Sequence, residues 1–102
     1  MTTYRECDHR QLLAQIGRMN VLAISGGRVR VRPTGIDLPV SNGYSVTIDL
    51  AADDTYTVRR VFKRGAKVWD KGTMTGVYAE EVGEVAYRAS CFRSDEFGER
   101  AA

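Results

Sequence analysis

Arg28, Arg30 and Arg32 alternate with Val29 and Val31 in the two-residue rhythm of a β-strand. Residues two apart on a strand share a face at a spacing of about 7 Å, so three guanidinium groups would project together near the phosphate spacing of nucleic acid. A second basic run, Arg59, Arg60, Lys63, Arg64, Lys67 and Lys71, follows later, and acids are sparse beside both runs along the chain. The chemistry these residues could do is phosphate binding with weak sequence preference and strong salt dependence. Arg28, Arg30, Arg32, Arg59, Lys63 and Arg64 would be its contacts. The same pattern also serves as the solvated face of a one-sided sheet, where charge keeps the surface soluble and blocks edge pairing. No recognition helix, zinc finger or ribonucleoprotein aromatic motif accompanies it.

Arg60 breaks the pattern of its own segment. In Tyr56, Val58, Arg60, Phe62 it interrupts an apolar face, and Val61 interrupts the polar face opposite. A bulge at Arg59-Arg60 would restore the phase; the alternative is that Arg60 reaches a buried carboxylate or a partner. The bulge is the simpler expectation. Trp69, beside Asp70, Lys71 and Gly72, falls near a strand end and would anchor a protein interface if exposed. Tyr44, Tyr56 and Tyr78 read as packing aromatics of a sheet.

Reaction chemistry finds little support. Cys7, His9 and Cys91 could supply three metal ligands only if two helices met side by side, and a Cys-x-His spacing does not aim both groups inward on a helix. Ser25-Gly26-Gly27 is followed by a strand pattern, so no helix N-terminus faces an anion there. Glu80, Glu81 and Glu84 are explained by the start of a helix. With one histidine and no nucleophile motif, the expectation is no enzyme, no metal and no cofactor.

The elements that must position these residues follow from apolar spacing. A first helix begins near Thr3 or Asp8, since Thr3 with Glu6 and Asp8 with Gln11 both match a capping box. Its stripe is Leu12, Leu13, Ile16 and Met19. Val21 to Ser25 reads as an apolar strand, turned at Gly26-Gly27 into Arg28 to Arg32 as a first hairpin. After a pause at Pro33 to Gly35, Ile36 to Val40 resumes as an edge or bulged strand. Asn42-Gly43 favours a type I′ turn into Tyr44, Val46, Ile48 and Leu50, whose alternation with polar residues is the clearest in the chain. Thr55 to Lys63 and Lys67 to Met74 complete a meander of about five strands. Val82, Val85, Ala86, Ala89 and Phe92 then recur at helical spacing. The expected fold is α+β, an antiparallel sheet flanked by an N-terminal and a C-terminal helix.

Composition agrees with a single globular domain. The 102 residues are 43% hydrophobic and 27% charged, with a net charge of +2, and are enough to bury a core without disulfides. Residues 1–94 form that domain, and 95–102 a frayed tail with Phe97 as its only anchor. Two cysteines, each within an expected helix, are no disulfide framework. The charged start and the lack of a long apolar run point to a cytoplasmic protein rather than an exported or membrane one.

Asn20-Val-Leu-Ala-Ile-Ser-Gly-Gly-Arg28, Asp54-Thr-Tyr-Thr-Val-Arg-Arg-Val-Phe62 and Gly76-Val-Tyr-Ala-Glu-Glu-Val-Gly-Glu-Val-Ala-Tyr87 resemble segments of small actinobacteriophage proteins, those of mycobacteriophages especially, and of related prophages. The resemblance runs from about Leu12 to Arg93 and carries no activity or ligand. It implies a setting, the cytoplasm of an infected bacterium, in which small noncatalytic proteins bind host factors, phage proteins or DNA. The expected function is therefore capture of a protein partner through a sheet face or the edge near Pro33 to Val40, with homodimerisation open. Nucleic-acid binding by the basic sheet is the alternative.

Overall fold

Asp8 settles where the first helix starts. Its carboxylate accepts hydrogen bonds from the backbone N–H groups of Arg10 and Gln11, capping α1 (His9–Ile16). A computed structural model describes residues 4–93 and 96–98, so the alternative cap, Thr3, lies outside the described residues. Cys7 precedes the helix instead of lying within it. Gly17, at φ 93° and ψ 138°, ends α1 and starts α2 (Arg18–Ser25) in a new direction. The expected strand at Val21 to Ser25 is thus a helix. Val21 and Ile24 are buried while Leu22 and Ala23 are exposed, a spacing of three that a strand cannot produce. The first hairpin disappears with it, because Gly26 is the left-handed cap of α2 at φ 65° and not a strand turn. Met19 also leaves the apolar stripe: the break at Gly17 rotates it outward, and it is 76% exposed.

Five strands form one antiparallel sheet in sequence order: β1 (Arg30–Arg32), β2 (Gly35–Pro39), β3 (Tyr44–Leu50), β4 (Tyr56–Arg64) and β5 (Lys67–Val77). Strand β2 pairs on both sides, so the edge lies at β1 and not at Ile36 to Val40. Asn42 and Gly43 take φ 55° and 87°, the positive values a type I′ turn needs, and the turn pairs Pro39 with Ser45. The β3–β4 register runs unbroken from Tyr44↔Phe62 to Leu50↔Tyr56.

The irregularity near Arg60 lies in the opposite strand. Between Arg59↔Thr73 and Val61↔Asp70, β4 contributes Arg60 alone and β5 contributes both Lys71 and Gly72. The bulge therefore belongs to β5, and Arg60 keeps the phase of Val58, pointing toward the helices. Asp70 holds the bulge by accepting from the Gly72 N–H and the Thr73 hydroxyl.

The three helices all pack on one face of the sheet. Helix α3 (Val82–Ser90) lies against β3, β4 and β5 and touches α1 and α2. Leu12, Ile16, Val21 and Ile24 meet Ile36, Leu38, Val46, Ile48 and Val58 of the sheet and Val82, Ala86 and Ala89 of α3 in one core. Cys91 caps α3 rather than lying inside it, and Phe92, expected on the helical stripe, falls beyond the helix. Phe97 is buried in the same core, so the one anchor expected in the tail is in place; residues 95 and 99–102 of the expected tail lie outside the described residues. No helix is long and apolar enough to cross a membrane among the described residues.

Candidate functional site

On the face turned away from the helices, two of the candidate arginines are already occupied. Arg32 donates from Nε to Asp37 at 2.9 Å and from Nη1 to Asp49 at 2.8 Å; Thr34 donates to the same Asp49 oxygen, also at 2.8 Å. Arg59 reaches the other oxygen of Asp49 at 3.4 Å and donates to the Tyr4 hydroxyl at 2.6 Å, with its guanidinium over the Tyr4 ring. Asp49 is 3% exposed. Burial works against the charge of Arg32, but the hydrogen bonds and charges of Asp49 and Asp37 outweigh it and raise its pKa further. This end of the basic face is a neutralised network, and its cations hold the fold together.

Gly35 makes that network possible. It pairs with Arg32 on one side and Asp49 on the other, and a β-carbon there would collide with the Ile48 carbonyl. The arginine reaches across the missing side chain. Asp37 and Asp49 are the residues that sequence reading missed, because acids were sought beside the arginines along the chain. The turn at Asn42-Gly43 carries the missing signal: once it sets the register, Asp49 falls opposite Gly35.

Arg60 lies inside the protein, 4% exposed, and so belongs to no accessible binding surface. Its Nε donates to the Ala89 carbonyl at 2.7 Å and its Nη2 to the Arg88 carbonyl at 3.1 Å, and the guanidinium lies over the Phe97 ring. It thus serves the C-terminal end of α3, where carbonyls lack helical donors and a cation complements the dipole.

The remaining basic candidates gather at the opposite end of the sheet. Arg28 is outside β1, its Nε donating to the Ser25 carbonyl, so the expected row of three arginines is cut to Arg30 and Arg32. Arg28, Arg30 and Lys63 line a cleft of about 440 Å³, together with Asp37 and the Ser41–Ser45 turn region. Lys63, Arg64, Lys67, Val68, Trp69 and Asp70 are all exposed at the tip of the β4–β5 hairpin. Trp69 is 39% exposed and closes a line of aromatic rings: Phe62 lies 5.5 Å from it, Tyr44 lies 5.0 Å from Phe62, and Phe92 stacks on Tyr44 at 4.1 Å. Phe92 is another residue that sequence reading misplaced, since helical periodicity carried on past the last turn of α3.

A third surface flanks β1. Val31 points to the helix side of the sheet yet is 56% exposed, because α2 covers β2 and stops short of the edge. Next to it runs a groove of about 430 Å³ lined by Leu13, Ala14, Arg18, Val21, Leu22, Gly27 and Val29. His9 lies 2.7 Å from the Arg32 carbonyl through Nε2, and the Cys7 N–H donates to the Pro33 carbonyl, so the N-terminal segment closes the far end of that edge. Cys7 is buried, and burial, then the charges of Asp8 and Asp49, push its thiol pKa up. Among the described residues no three His, Cys, Asp or Glu side chains converge as a metal site would require.

The fold and these surfaces define a small α+β domain, an open five-stranded antiparallel sheet with all its helices on one face. Comparison with protein-family models, with curated proteins and with solved structures returns no match.

Proposed function

We propose that this is a noncatalytic binding module that captures a protein segment at the β1 edge. The observation that carries the reading is Val31, left 56% exposed on an unpaired edge strand beside the apolar groove of Leu13, Leu22 and Val29. An extended partner segment would add to the edge through its backbone and place alternate side chains in the groove. The titratable groups also favour binding over chemistry: Cys7 is buried, His9 meets a backbone carbonyl, and Asp37 and Asp49 are tied to arginines.

The partner is a different chain, not a second copy. Antiparallel self-pairing centred on Val31 would set the unpaired Arg30 opposite Arg32 of the other molecule, whose charge is already held by Asp37 and Asp49, so Arg30 would gain no partner there, whereas an acidic residue of a different chain would supply one. A segment of acidic, apolar, acidic order fits better. In the setting implied by the resemblance to actinobacteriophage proteins, that segment belongs to a host or phage protein in a bacterial cytoplasm.

The test is an amide-shift titration with a synthetic peptide of alternating Glu and Val. Shifts concentrated on Val29 to Arg32 and Leu22, and lost in Val31→Asp, are expected. A block peptide of equal charge, all Glu followed by all Val, binding equally well would overturn the reading, since charge alone would then suffice.

A further inference from the structure

Some of the cations are held in ion pairs and others are not. Arg5, Arg32 and Arg59 form ion pairs with Asp54, Asp37 and Asp49. Arg28, Arg30, Lys63, Arg64 and Lys67 form none among the described residues. Strand direction brings this second group to one end of the sheet, where the start of β1, the end of β4 and the start of β5 meet, with Arg30 and Lys63 on the face away from the helices and Arg64 and Lys67, beside Trp69, on the other, so that a bound strand would wrap the rim between the two faces. The cleft shared by Arg28, Arg30 and Lys63 confirms how near they come across the strands between. From β1 to β5 is four strand spacings, about 19 Å. The opposite end holds Asp8, Asp53 and Asp54, with Glu6 beside them, so the molecule is electrostatically polar although its net charge is only +2.

We infer that this basic end binds single-stranded nucleic acid, with Arg28, Arg30, Lys63, Arg64 and Lys67 on the phosphates and Trp69 stacking on a base. Charge alone would suit any polyanion, and the aromatic ring selects among them. Trp69 sits on the side of the β4–β5 hairpin shared by Arg64 and Lys67, partly exposed and backed by Phe62, Tyr44 and Phe92. A ring held by packed neighbours at the rim of a cationic surface is the arrangement with which single-strand binders take up bases of any identity. A duplex keeps its bases stacked on each other and offers none to the ring. The site is separate from the β1 groove, which is lined mainly by apolar residues of α1, α2 and the segment after α2.

Trp69 is the only tryptophan in the chain, so its fluorescence reports directly on the proposed contact. Titration with oligo(dT) is expected to quench it saturably. If four phosphates are neutralised, affinity falls by about 50-fold between about 50 and 200 mM salt. Trp69→Ala, followed by anisotropy of a labelled oligonucleotide, is expected to weaken binding by at least about fivefold. Replacing Lys63, Arg64 and Lys67 by Gln is expected to lower the slope of log affinity against log salt by about 2. A triple Gln variant at Arg5, Arg10 and Arg18, exposed cations of the N-terminal segment and of the starts of α1 and α2, matches that charge change and is expected to bind as the parent does. Heparin bound as tightly as oligo(dT), duplex DNA bound more tightly than the single strand, or equal losses in the two triple variants would each overturn the assignment.

Discussion

Arg60 shows how a residue that looks functional in a sequence can be structural in the fold. An arginine on the apolar side of a strand invites a binding role, and its chemistry is indeed used, but against the end of a helix. The planar fork reaches two successive carbonyls, Arg88 and Ala89, from one buried position. Arg60→Leu fills the space but strips the Ala89 carbonyl of this donor and leaves the Arg88 carbonyl with the Cys91 N–H, at a cost of about 1–3 kcal/mol for a stranded buried acceptor and more where the lost donor is charged. We expect a loss of about 2–4 kcal/mol, read as a shift in the urea midpoint at unchanged m-value. Arg60→Lys is expected to recover only part of it, because a single ammonium cannot repeat the fork. A leucine variant as stable as the parent would show that the Ala89 carbonyl is satisfied by other means. The anomaly at Arg60 was legible in the sequence. Its resolution was not, since the bulge that accompanies it is in β5 and the carbonyls are about 30 residues away along the chain.

Among the elements, strands β2 to β5 and helix α3 follow from spacing and turn chemistry, while α2 does not. Val21 to Ser25 is a short apolar run whose residue types suit a strand, and such a run has no period long enough to tell strand from helix. What decides is tertiary: Gly26 supplies a left-handed cap, and Val21 and Ile24 find the core. The packing of α3 on α1 depends likewise on an absent side chain. Gly83 faces the Ile16 carbonyl so closely that a β-carbon would collide with it and lie 2.9 Å from Asn20 Nδ2, whose amide donates to that carbonyl. Helix propensity favours Ala over Gly by about 1 kcal/mol, but overpacking costs about 1–3. Gly83→Ala is therefore expected to lower Tm, and Gly26→Ala to lower it as well, through the roughly 1 kcal/mol cost of a left-handed alanine that has nothing within 4 Å to clash with. A raised Tm for Gly83→Ala would mean that α1 and α3 can separate slightly at no cost.

At the scale of the whole molecule, the balance of opposite charges hides in a composition of +2 and emerges only when the sheet register pairs some arginines and leaves others. The same arrangement sets how stability responds to alkali. Burial raises the pKa of Cys7, helped by Asp8 and Asp49, and burial raises that of Tyr56, helped by Cys7, Asp8 and Asp54. Both groups are neutral when protonated, so the unfolded chain releases these protons at lower pH than the folded one does. Above the unfolded thiol pKa of about 8.5 the folded state holds more protons, and stability must fall as pH rises, with the tyrosine adding to the slope near pH 10. Urea midpoints measured from pH 7 to 10 are expected to decline from about pH 8.5 in the parent. In Cys7→Ala the first part of that decline disappears, leaving a later onset from Tyr56, whose hydroxyl donates to Gln15 at 2.6 Å. The slope, not the absolute midpoint, is the readout, since removing the buried sulfur has its own packing cost. Stability that rises between pH 8.5 and 10 would mean that these two groups meet a more favourable environment as anions, and would place Arg32, the cation that opposes the shift at Cys7, in control of the acidic end.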